Sequence, residues 1–303
     1  TNEKDATGHF KAGHIDVHEA VVFTRQGQAP FRELPRLSPG EGNPPGFSGP
    51  NGSAPLAMPL LVYDLDRDGR SEVVLAGANI VYWNQGKGRF KKEIFCKHYP
   101  ARLQAAVLAD FDNDGFTDLL GMPEGSPPVI FRGGEHGRFD QLPEVIKING
   151  NVINAGTSVT AGDIDGDGDL DAWLTQNKPP YIGGQMPTPY YDANDGYSSF
   201  LLVNDGKGHF TDKTDEAGLG EKRHRRTYSS SFVDLDSDED LDLVVINDFA
   251  GLDVHLNDGK GRFTDVTERL GDDRSSFGMS HVLADFNGDN QLDLYMVGMG
   301  STT

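Results

Sequence analysis

The chain has 303 residues and carries 47 Asp and Glu against 27 Lys and Arg, which gives a formal net charge of −20. This acidic balance disfavours nucleic acid as a partner, since nucleic-acid-binding domains present basic patches. No apolar stretch reaches the eighteen or so residues that a membrane-spanning helix needs, so we predict no transmembrane segment.

The first 57 residues divide into two predicted parts. Residues 18–34, "HEAVVFTRQGQAPFREL", place two apolar segments around a Gln-Gly turn and predict two strands, so residues 1–34 are interpreted as part of a β-sheet blade. Residues 35–57, beginning "PRLSPGEGNPPGFSGP", are rich in Pro and Gly and predict a loop.

An acidic segment of nine residues recurs five times from residue 64 onward. The copies are "DLDRDGRSE" (64–72), "DFDNDGFTD" (110–118), "DIDGDGDLD" (163–171), "DLDSDEDLD" (234–242) and "DFNGDNQLD" (285–293), called loops 1 to 5 below. Carboxylates this close repel one another unless a cation lies among them. Oxygen side chains at positions 1, 3, 5 and 9, with a main-chain carbonyl at position 7, form the ligand set of a hard cation. The sequence therefore predicts five cation sites.

The predicted ion is calcium, because calcium takes six to eight oxygen ligands whereas magnesium keeps most of its waters. About five bound calcium ions would bring the formal charge from −20 to −10. An EF-hand is excluded, since that loop closes with Glu at position 12 and continues as a helix, whereas position 12 here lies in an apolar run. The predicted side-chain ligands are Asp64, Asp66, Asp68, Glu72, Asp110, Asp112, Asp114, Asp118, Asp163, Asp165, Asp167, Asp171, Asp234, Asp236, Asp238, Asp242, Asp285, Asn287, Asp289 and Asp293. The predicted main-chain ligands are Arg70, Phe116, Asp169, Asp240 and Gln291.

Position 6 of the loops predicts a difference in affinity among them. It is Gly in loops 1 to 3, but Glu239 in loop 4 and Asn290 in loop 5. A left-handed backbone at this position would cost a non-glycine residue about 1 kcal/mol. Loops 4 and 5 are therefore expected to bind the cation most weakly.

Each acidic loop lies inside a longer repeat of four predicted strands. In residues 228–267 an apolar strand enters the loop, a second strand leaves it, and a third runs into the turn "NDGKGR" before a fourth. Such turns with β-rich flanks are typical of hairpins. The loops are 46, 53, 71 and 51 residues apart, a period typical of propeller blades. The predicted fold is therefore all-β, a β-propeller of four-stranded antiparallel blades with calcium-binding loops.

The predicted repeats occupy residues 58–303. Their approximate ranges are 58–100, 101–150, 157–215, 228–270 and 277–303, of which the last is incomplete. Cys96, the single cysteine, is interpreted as a packing residue.

The acidic loops, the "NDGKGxF" turns and "FGMSHVLADFNGDNQLDLYMV" (277–297) resemble FG-GAP or VCBS repeats, the calcium-bearing blades of integrin-α-type propellers. "GHFTDKTDEAGLG" (208–220) and "GRFTDVTERLG" (261–271) are most similar to the cartilage acidic protein and ASPIC/UnbV group. The resemblance covers about residues 55 to 300. Either the ends of the chain complete each other in a ring of five blades, or the chain is part of a longer seven-bladed propeller whose remainder is missing or lies on another chain.

The repeat order assigns the acidic loops and the hairpin turns to one face of the propeller, and the connections between second and third strands to the other. The second face receives a long insertion, "NKPPYIGGQMPTPYYDANDGYSS" (177–199), and "EKRHRR" (221–226) lies next to it. Aromatic rings and guanidinium groups suit sugars, carboxylates or sulfates. The predicted ligand-binding residues are Tyr181, Tyr190, Tyr191, Tyr197, Arg223, His224, Arg225 and Arg226. In the alternative interpretation the tyrosines pack the insertion on itself and the arginines neutralise nearby carboxylates such as Glu216.

The predicted function is a calcium-binding propeller that acts as an interaction module for a protein or a glycan. Its setting is predicted as secreted, periplasmic or cell-surface, because calcium sites of this type fill where free calcium is millimolar. Common hydrolase, kinase and dinucleotide motifs do not occur in the sequence, which favours binding over catalysis. The alternative is a propeller-type polysaccharide lyase or dehydratase with its site on the second face.

Overall fold

The computed structural model of the chain describes residues 3–4, 10–11, 59–99, 101–148, 152–180, 186–274 and 276–299. The chain divides into two compact units, residues 1–37 and 38–303. In the first unit, β1 (Glu3–Lys4) and β2 (Phe10–Lys11) pair in antiparallel fashion. The predicted strands within 18–34 and the predicted loop at 35–57 lie outside the described residues.

The second unit is a series of antiparallel sheets, each made of consecutive strands. Blade 1 contains β3 (Leu60–Tyr63), β4 (Glu72–Leu75), β5 (Ile80–Asn84) and β6 (Phe90–Ile94). Blade 2 contains β7 (Leu103–Ala109), β8 (Asp118–Pro123), β9 (Val129–Phe131) and β10 (Glu144–Val145). Blade 3 contains β11 (Gly156–Gly162), β12 (Asp171–Gln176), β13 (Phe200–Val203) and β14 (Thr211–Asp212). Blade 4 contains β15 (Arg226–Val233), β16 (Asp242–Asp248), β17 (Gly251–Asn257) and β18 (Phe263–Asp265), and blade 5 contains β19 (Gly278–Ala284) and β20 (Asp293–Gly298).

The predicted fold class is confirmed: the described chain is built from repeated four-stranded antiparallel sheets of the propeller-blade type. The 3-10 segments Ala76–Ala78, Glu135–Gly137 and Thr267–Arg274 are short connections. Within the described ranges the sheets do not close into a ring, so the number of blades and the repeat boundaries stay predictions. No helix in the described part of the chain has the length and apolar character needed to cross a bilayer.

The core lies between successive blades, because the second strands of blades 2 to 4 bury both of their faces. In β16, Leu243 and Val245 pack toward blade 3, whereas Val244 and Ile246 pack toward blade 5. Side chains alternate between faces along a strand, so a continuous apolar run serves two interfaces at once. This double burial explains why loops 2 to 4 are followed directly by an apolar segment, whereas β20 after loop 5 is half-buried to exposed.

Asparagine side chains in the hairpin turns of blades 3 and 4 tie each of these two blades to the one before it. Asn204 of blade 3 donates its amide to the carbonyl of Phe111 in loop 2, at 2.7 Å. Asn257 of blade 4 donates to the carbonyl of Ile164 in loop 3, also at 2.7 Å. Both amides also donate to their own blade, at 3.1 Å to Leu170 and Leu241. The turn "NDGKG" is therefore both a hairpin and an inter-blade contact.

The tie between blades predicts a stability difference between two asparagines. Replacing Asn204→Ala leaves the buried carbonyl of Phe111 without this donor and should cost about 1–3 kcal/mol. Asn84 occupies the same place in blade 1, but its amide donates to Ser71 of its own blade, so Asn84→Ala should cost less than about 1 kcal/mol. Urea unfolding of both variants measures the difference, and equal losses would contradict the inter-blade role.

Candidate metal centres

The five acidic loops share one local hydrogen-bond pattern. The carboxylate at position 1 accepts the main-chain N–H of position 6 at 2.9 to 3.2 Å in every loop. The carboxylate at position 5 accepts the N–H of position 7 at 2.7 to 3.1 Å. The carboxylate at position 9 accepts the N–H of position 2 at 2.8 to 3.2 Å. The carboxylates at positions 1, 5 and 9 are thus spaced so that each accepts a main-chain N–H of its own loop, and these bonds close the turn.

Position 6 of every loop has a left-handed backbone. The φ angles are +84°, +87° and +90° at Gly69, Gly115 and Gly168, and +74° and +65° at Glu239 and Asn290. An L-residue with a Cβ is strained in this region, whereas glycine is not. The expected conformational penalty in loops 4 and 5 is therefore present in the backbone.

Loops 1 to 4 each bring three carboxylates together. In each group, one oxygen per side chain lies within 4.8 Å of the others. The groups come from positions 1, 3 and 9, namely Asp64, Asp66 and Glu72; Asp110, Asp112 and Asp118; Asp163, Asp165 and Asp171; and Asp234, Asp236 and Asp242. Three mutually repelling carboxylates at this distance suit a hard divalent cation between them.

The carboxylate at position 9 is buried in loops 1 to 4 and joins the loop to the third strand of its blade. Its second oxygen accepts the N–H of the residue where the hairpin turn begins: Asn84 at 3.3 Å, Gly133 at 2.7 Å, and Asn204 and Asn257 at 2.8 Å. Glu72, Asp118, Asp171 and Asp242 are at most 1% exposed. The same side chain therefore closes the candidate site and holds two parts of the blade together.

Burial makes the charge at position 9 costly. Loss of solvent raises the pKa of Asp118 to about 6 and that of Asp171 to about 7, above the ordinary aspartate range. The pKa of Glu72 and that of Asp242 are raised for the same reason. At position 3, burial and then neighbouring carboxylates raise the pKa of Asp165. A cation among these groups would reverse this penalty.

Two carboxylate oxygens provide a test of whether the residues fit a cation. Asp110 Oδ1 in loop 2 and Asp165 Oδ1 in loop 3 are buried without a hydrogen-bond partner among the described residues. A buried oxygen with negative charge and no donor is unfavourable by itself. Both atoms belong to positions predicted to bind the ion, so the donor set of these loops fits an oxygen-liking metal such as calcium.

The guanidinium group of an arginine lies beside the carboxylates of loop 2, a contact that the sequence did not reveal. Arg132 Nη1 lies 3.0 Å from Asp112 Oδ2 and 3.9 Å from Asp118 Oδ2. Its Nη2 donates to the carbonyl of Lys207 in blade 3 at 2.8 Å. The guanidinium therefore offsets part of the negative charge of loop 2 and links blades 2 and 3.

Loop 5 differs from the others. Asn287 at position 3 directs its amide nitrogen to Asp289 Oδ2 at 3.1 Å, as a donor. Asp293 at position 9 is half-buried, and the described part of blade 5 contains two strands. The three-carboxylate grouping found in loops 1 to 4 was not found for loop 5 among the described residues.

The side chains at position 7 have unrelated partners, which agrees with a main-chain role there. Arg70 pairs with Asp68 of its own loop, and Phe116 lies under the guanidinium of Arg67 at 5.8 Å. Asp169 Oδ1 accepts the amide of Asn113 at 2.7 Å. Position 7 therefore has no common side-chain chemistry. The metal-ligand assignments as a whole stay predictions.

On the opposite side of blade 3, residues 194–199 of the insertion and the segment 221–226 lie side by side. The N–H of Gly196 donates to the carbonyl of His224 at 2.6 Å, and that of Ser199 to Arg223 at 2.7 Å. The amide of Asn194 donates to the carbonyl of Glu221 at 2.7 Å. The two segments thus form one hydrogen-bonded layer.

The interpretation of Arg225 and Arg226 as ligand-binding residues is wrong. Arg225 is 4% exposed and pairs with Asp253 at 3.1 Å and Asp192 at 2.7 Å. Arg226 is 1% exposed and pairs with both oxygens of Asp195 at 2.9 and 3.0 Å. Both guanidinium groups are used to fix the insertion to blade 4, as the alternative interpretation held.

Arg223 is also engaged within the chain. It pairs with Asp215 at 3.1 Å and with Asp212 at 3.5 Å, and its guanidinium lies 5.3 Å from the centre of the Phe200 ring. These partners are aspartates rather than the Glu216 suggested from the sequence. His224 is exposed, with Nδ1 at 3.3 Å from Ser198 Oγ.

The tyrosines of the insertion have different environments. Tyr191 is 75% exposed and Tyr190 38% exposed, and their rings meet edge to face at 4.9 Å. Tyr190 also contacts the ring of Phe249 at 5.3 Å. Tyr197 is half-buried, and Tyr181 lies outside the described residues. Tyr190 and Tyr191 are therefore the predicted ligand-binding tyrosines that reach solvent most.

Comparison with known proteins identifies the repeat. A family model described as an FG-GAP-like repeat matches residues 64–121, 110–174 and 234–296, more than half of the chain. A search of curated proteins found no match. A chain in the structure of the Photorhabdus luminescens Tc holotoxin pore, in a mutant form, is similar over 79% of this chain, with 18% identity and a TM-score of 0.40. The matched part spans 11% of that chain.

Position 6 of loop 4 yields a prediction for Glu239. The variant Glu239→Gly removes a left-handed non-glycine residue and should stabilise the loop by about 1 kcal/mol, which corresponds to about fivefold tighter calcium binding. Gly168→Ala in loop 3 is the matched reverse change, since no atom lies within 4 Å of the added Cβ and backbone strain alone acts. Calcium titration by calorimetry measures both, and weaker binding by Glu239→Gly would refute the assigned loop geometry.

The raised pKa values predict proton release when calcium binds. Near pH 6.5, Asp171 and part of the Asp118 population hold protons in the calcium-free protein, because their pKa values are about 7 and about 6. Calcium binding requires ionised carboxylates and should expel these protons. Calorimetry in two buffers of different ionisation enthalpy measures the number released.

The release should disappear at pH 8.5, where both carboxylates are already ionised. Asp171→Asn should reduce the release at pH 6.5 and leave the contribution of Asp118. The same release at both pH values, or none at pH 6.5, would contradict the coupling of these carboxylates to the ion.

Proposed function

The chain belongs to the FG-GAP-like repeat family, and from this premise we propose that it is a calcium-stabilised β-propeller module that binds a protein or glycan partner. The observation that supports calcium best is the set of four carboxylate groups, each with oxygens within 4.8 Å of one another. A repeated structural ion and a rigid array of loops suit binding more than chemistry.

The residues would act together in a defined way. Positions 1, 3, 5 and 9 of a loop would supply carboxylate oxygens and position 7 a main-chain carbonyl. The ion, when bound, supplies positive charge that offsets the repulsion within the loop. The position-9 carboxylate keeps its two N–H bonds to position 2 and to the third strand, as for Asp171 with Ile164 and Asn204. Each loop would thereby hold the start of the second strand and the end of the third in place.

The proposed cellular setting is inferred from the proposed calcium ion. Loops of this type would fill reliably where free calcium is millimolar, so we place the module in a secreted, periplasmic or cell-surface context. The partner is proposed as a protein or a glycan because propeller faces present several loops on one rigid scaffold. The arrangement of the described residues does not favour the lyase or dehydratase alternative, since Arg225 and Arg226 are buried in ion pairs.

Calcium removal tests the proposed function. Binding to the native state alone stabilises it by about 2.7 kcal/mol per site at a hundredfold excess over Kd. Chelation should therefore lower the melting temperature markedly, and readdition of calcium should restore it. Elemental analysis of the purified protein should show several calcium ions per chain.

A matched variant separates the ion from general destabilisation. Asp165→Asn in loop 3 should abolish one site and reduce the calcium-dependent part of the stability. Lys207→Gln, in the exposed hairpin turn of the same blade, should leave it unchanged. The proposal would be contradicted if the melting curve did not change in chelator and elemental analysis found no calcium in the purified protein.

A further inference from the structure

A groove lies beside loop 1, on the side of the hairpin turn of blade 1. Its volume is about 790 Å³, and it is lined by Asp66, Asp68, Arg70, Trp83, Asn84, Gln85, Arg89, Lys91, Glu93, His136 and Arg138. Four of these side chains are permanently cationic and three are acidic, so the lining has a formal charge of +1 in a chain whose formal net charge is −20. The charge of the groove lining is therefore opposite in sign to that of the whole chain.

The reversal arises in the outer part of blade 1. Residues 84–97 read "NQGKGRFKKEIFCK" and contain five Lys and Arg against one Glu. The corresponding outer strands of the other complete blades, β10, β14 and β18, contain acidic residues and no Lys or Arg. Blade 1 thus differs from its neighbours at a position where the fold does not require basic residues.

Two cations of the groove, Arg138 and Lys91, are accessible and held in place by neighbouring side chains. Arg138 lies over the ring of Trp83 at 5.2 Å and is 48% exposed. Lys91 is 61% exposed, and both pair with Glu93, at 3.0 Å for Arg138 and 2.6 Å for Lys91. Exposed pairs of this kind are weak, so an anion can replace Glu93 as a partner at little cost.

Among the cations of the groove, Arg89 has the fewest side-chain contacts. It is exposed, and no hydrogen bond or ion pair of its side chain is found among the described residues. Its equivalent in blade 4 is Arg262, in the same "GKGRF" turn. A free guanidinium at the edge of a groove suits bidentate contact with a carboxylate or sulfate group.

We infer that this groove binds an anionic oligosaccharide through its sulfate or carboxylate groups. Arg70 in loop 1 is paired with Asp68, and the other three cations come from the hairpin turn, strand β6 and blade 2. These three suit several anionic groups spaced along one ligand. Asn84, Gln85 and His136 add polar groups for sugar hydroxyls. Trp83 is the one apolar side chain of the lining, which leaves no anchor for the apolar residues of an acidic peptide.

Loop 1 couples the groove to calcium, and this step rests on the proposed function. Asp66 and Asp68 belong both to the groove lining and to loop 1. With a divalent cation in loop 1 their negative charge no longer repels an incoming anion. Calcium therefore strengthens binding of the anionic oligosaccharide.

The test uses the full chain and three probes: a sulfated heparin tetrasaccharide, a tetragalacturonate that carries carboxylates alone, and a neutral cellotetraose. Calorimetry at low salt should show binding of a charged tetrasaccharide and none of cellotetraose, with affinity falling as salt rises. The two charged probes distinguish sulfate from carboxylate recognition. A polyglutamate peptide that binds more tightly than both would overturn the glycan assignment.

Variants locate the binding. Arg89→Gln with Arg138→Gln should weaken binding about tenfold or more and flatten its salt dependence, since two charged contacts are lost. Arg89→Gln alone, a change at an exposed side chain, should give a smaller loss with the melting temperature unchanged. Arg262→Gln, the same turn position in blade 4, should bind like the unaltered chain. Failure of both charged probes to bind, or equally tight binding by the double variant and the unaltered chain, overturns the inference.

Calcium titration of the same samples separates this inference from the proposed function. Normal calcium loading without oligosaccharide binding would overturn the groove alone. Oligosaccharide binding that is equally tight in calcium and in chelator would overturn the coupling through loop 1. Calcium-free protein with an unchanged melting curve would instead contradict the proposed function.

Discussion

Each complete blade depends on a buried carboxylate at the ninth position of its acidic loop. One oxygen accepts an N–H from within the loop, and the other accepts an N–H from the end of the third strand. This bond pair joins the two halves of the blade at the face that carries the loops. It also buries negative charge next to two further carboxylates, which raises the pKa of Asp171 to about 7. The fold therefore buries negative charge where the loop joins the third strand, and a divalent cation bound there would offset that charge.

Much of this arrangement could be predicted from the sequence because it is local and repeated. A period of two along the loop and a glycine at position 6 specify which side chains turn inward, and the left-handed backbone at Gly168 agrees. The apolar runs after loops 2 to 4 likewise correspond to strands buried on both faces. Five copies of one pattern reduce the chance that any single match is accidental.

Other features could not be predicted, because they depend on residues far apart in the sequence. Arg226 pairs with Asp195, 31 positions away, and Arg132 reaches a carbonyl 75 positions away in the next blade. An arginine in a basic run looks the same whether it faces solvent or a buried aspartate. The sequence therefore located the two adjacent segments of blade 3 but assigned their guanidinium groups the wrong role. In the same way, the turn sequence around Asn204 does not indicate that its amide bonds to the preceding blade.

The two faces of the described blades carry different features. On one side of blade 3, buried ion pairs fix the insertion and leave Tyr191 exposed on a rigid support. On the other side, the acidic loops lie next to a basic groove in blade 1 that shares Asp66 and Asp68 with loop 1. Under our proposals, these two aspartates therefore belong both to a calcium site and to a ligand-binding groove. The central claim, that the carboxylate groups hold calcium, is tested most directly by anomalous X-ray diffraction from crystals grown with calcium. The account predicts anomalous peaks between positions 1, 3 and 9 of loops 1 to 4, and ordered loops without such peaks would contradict it.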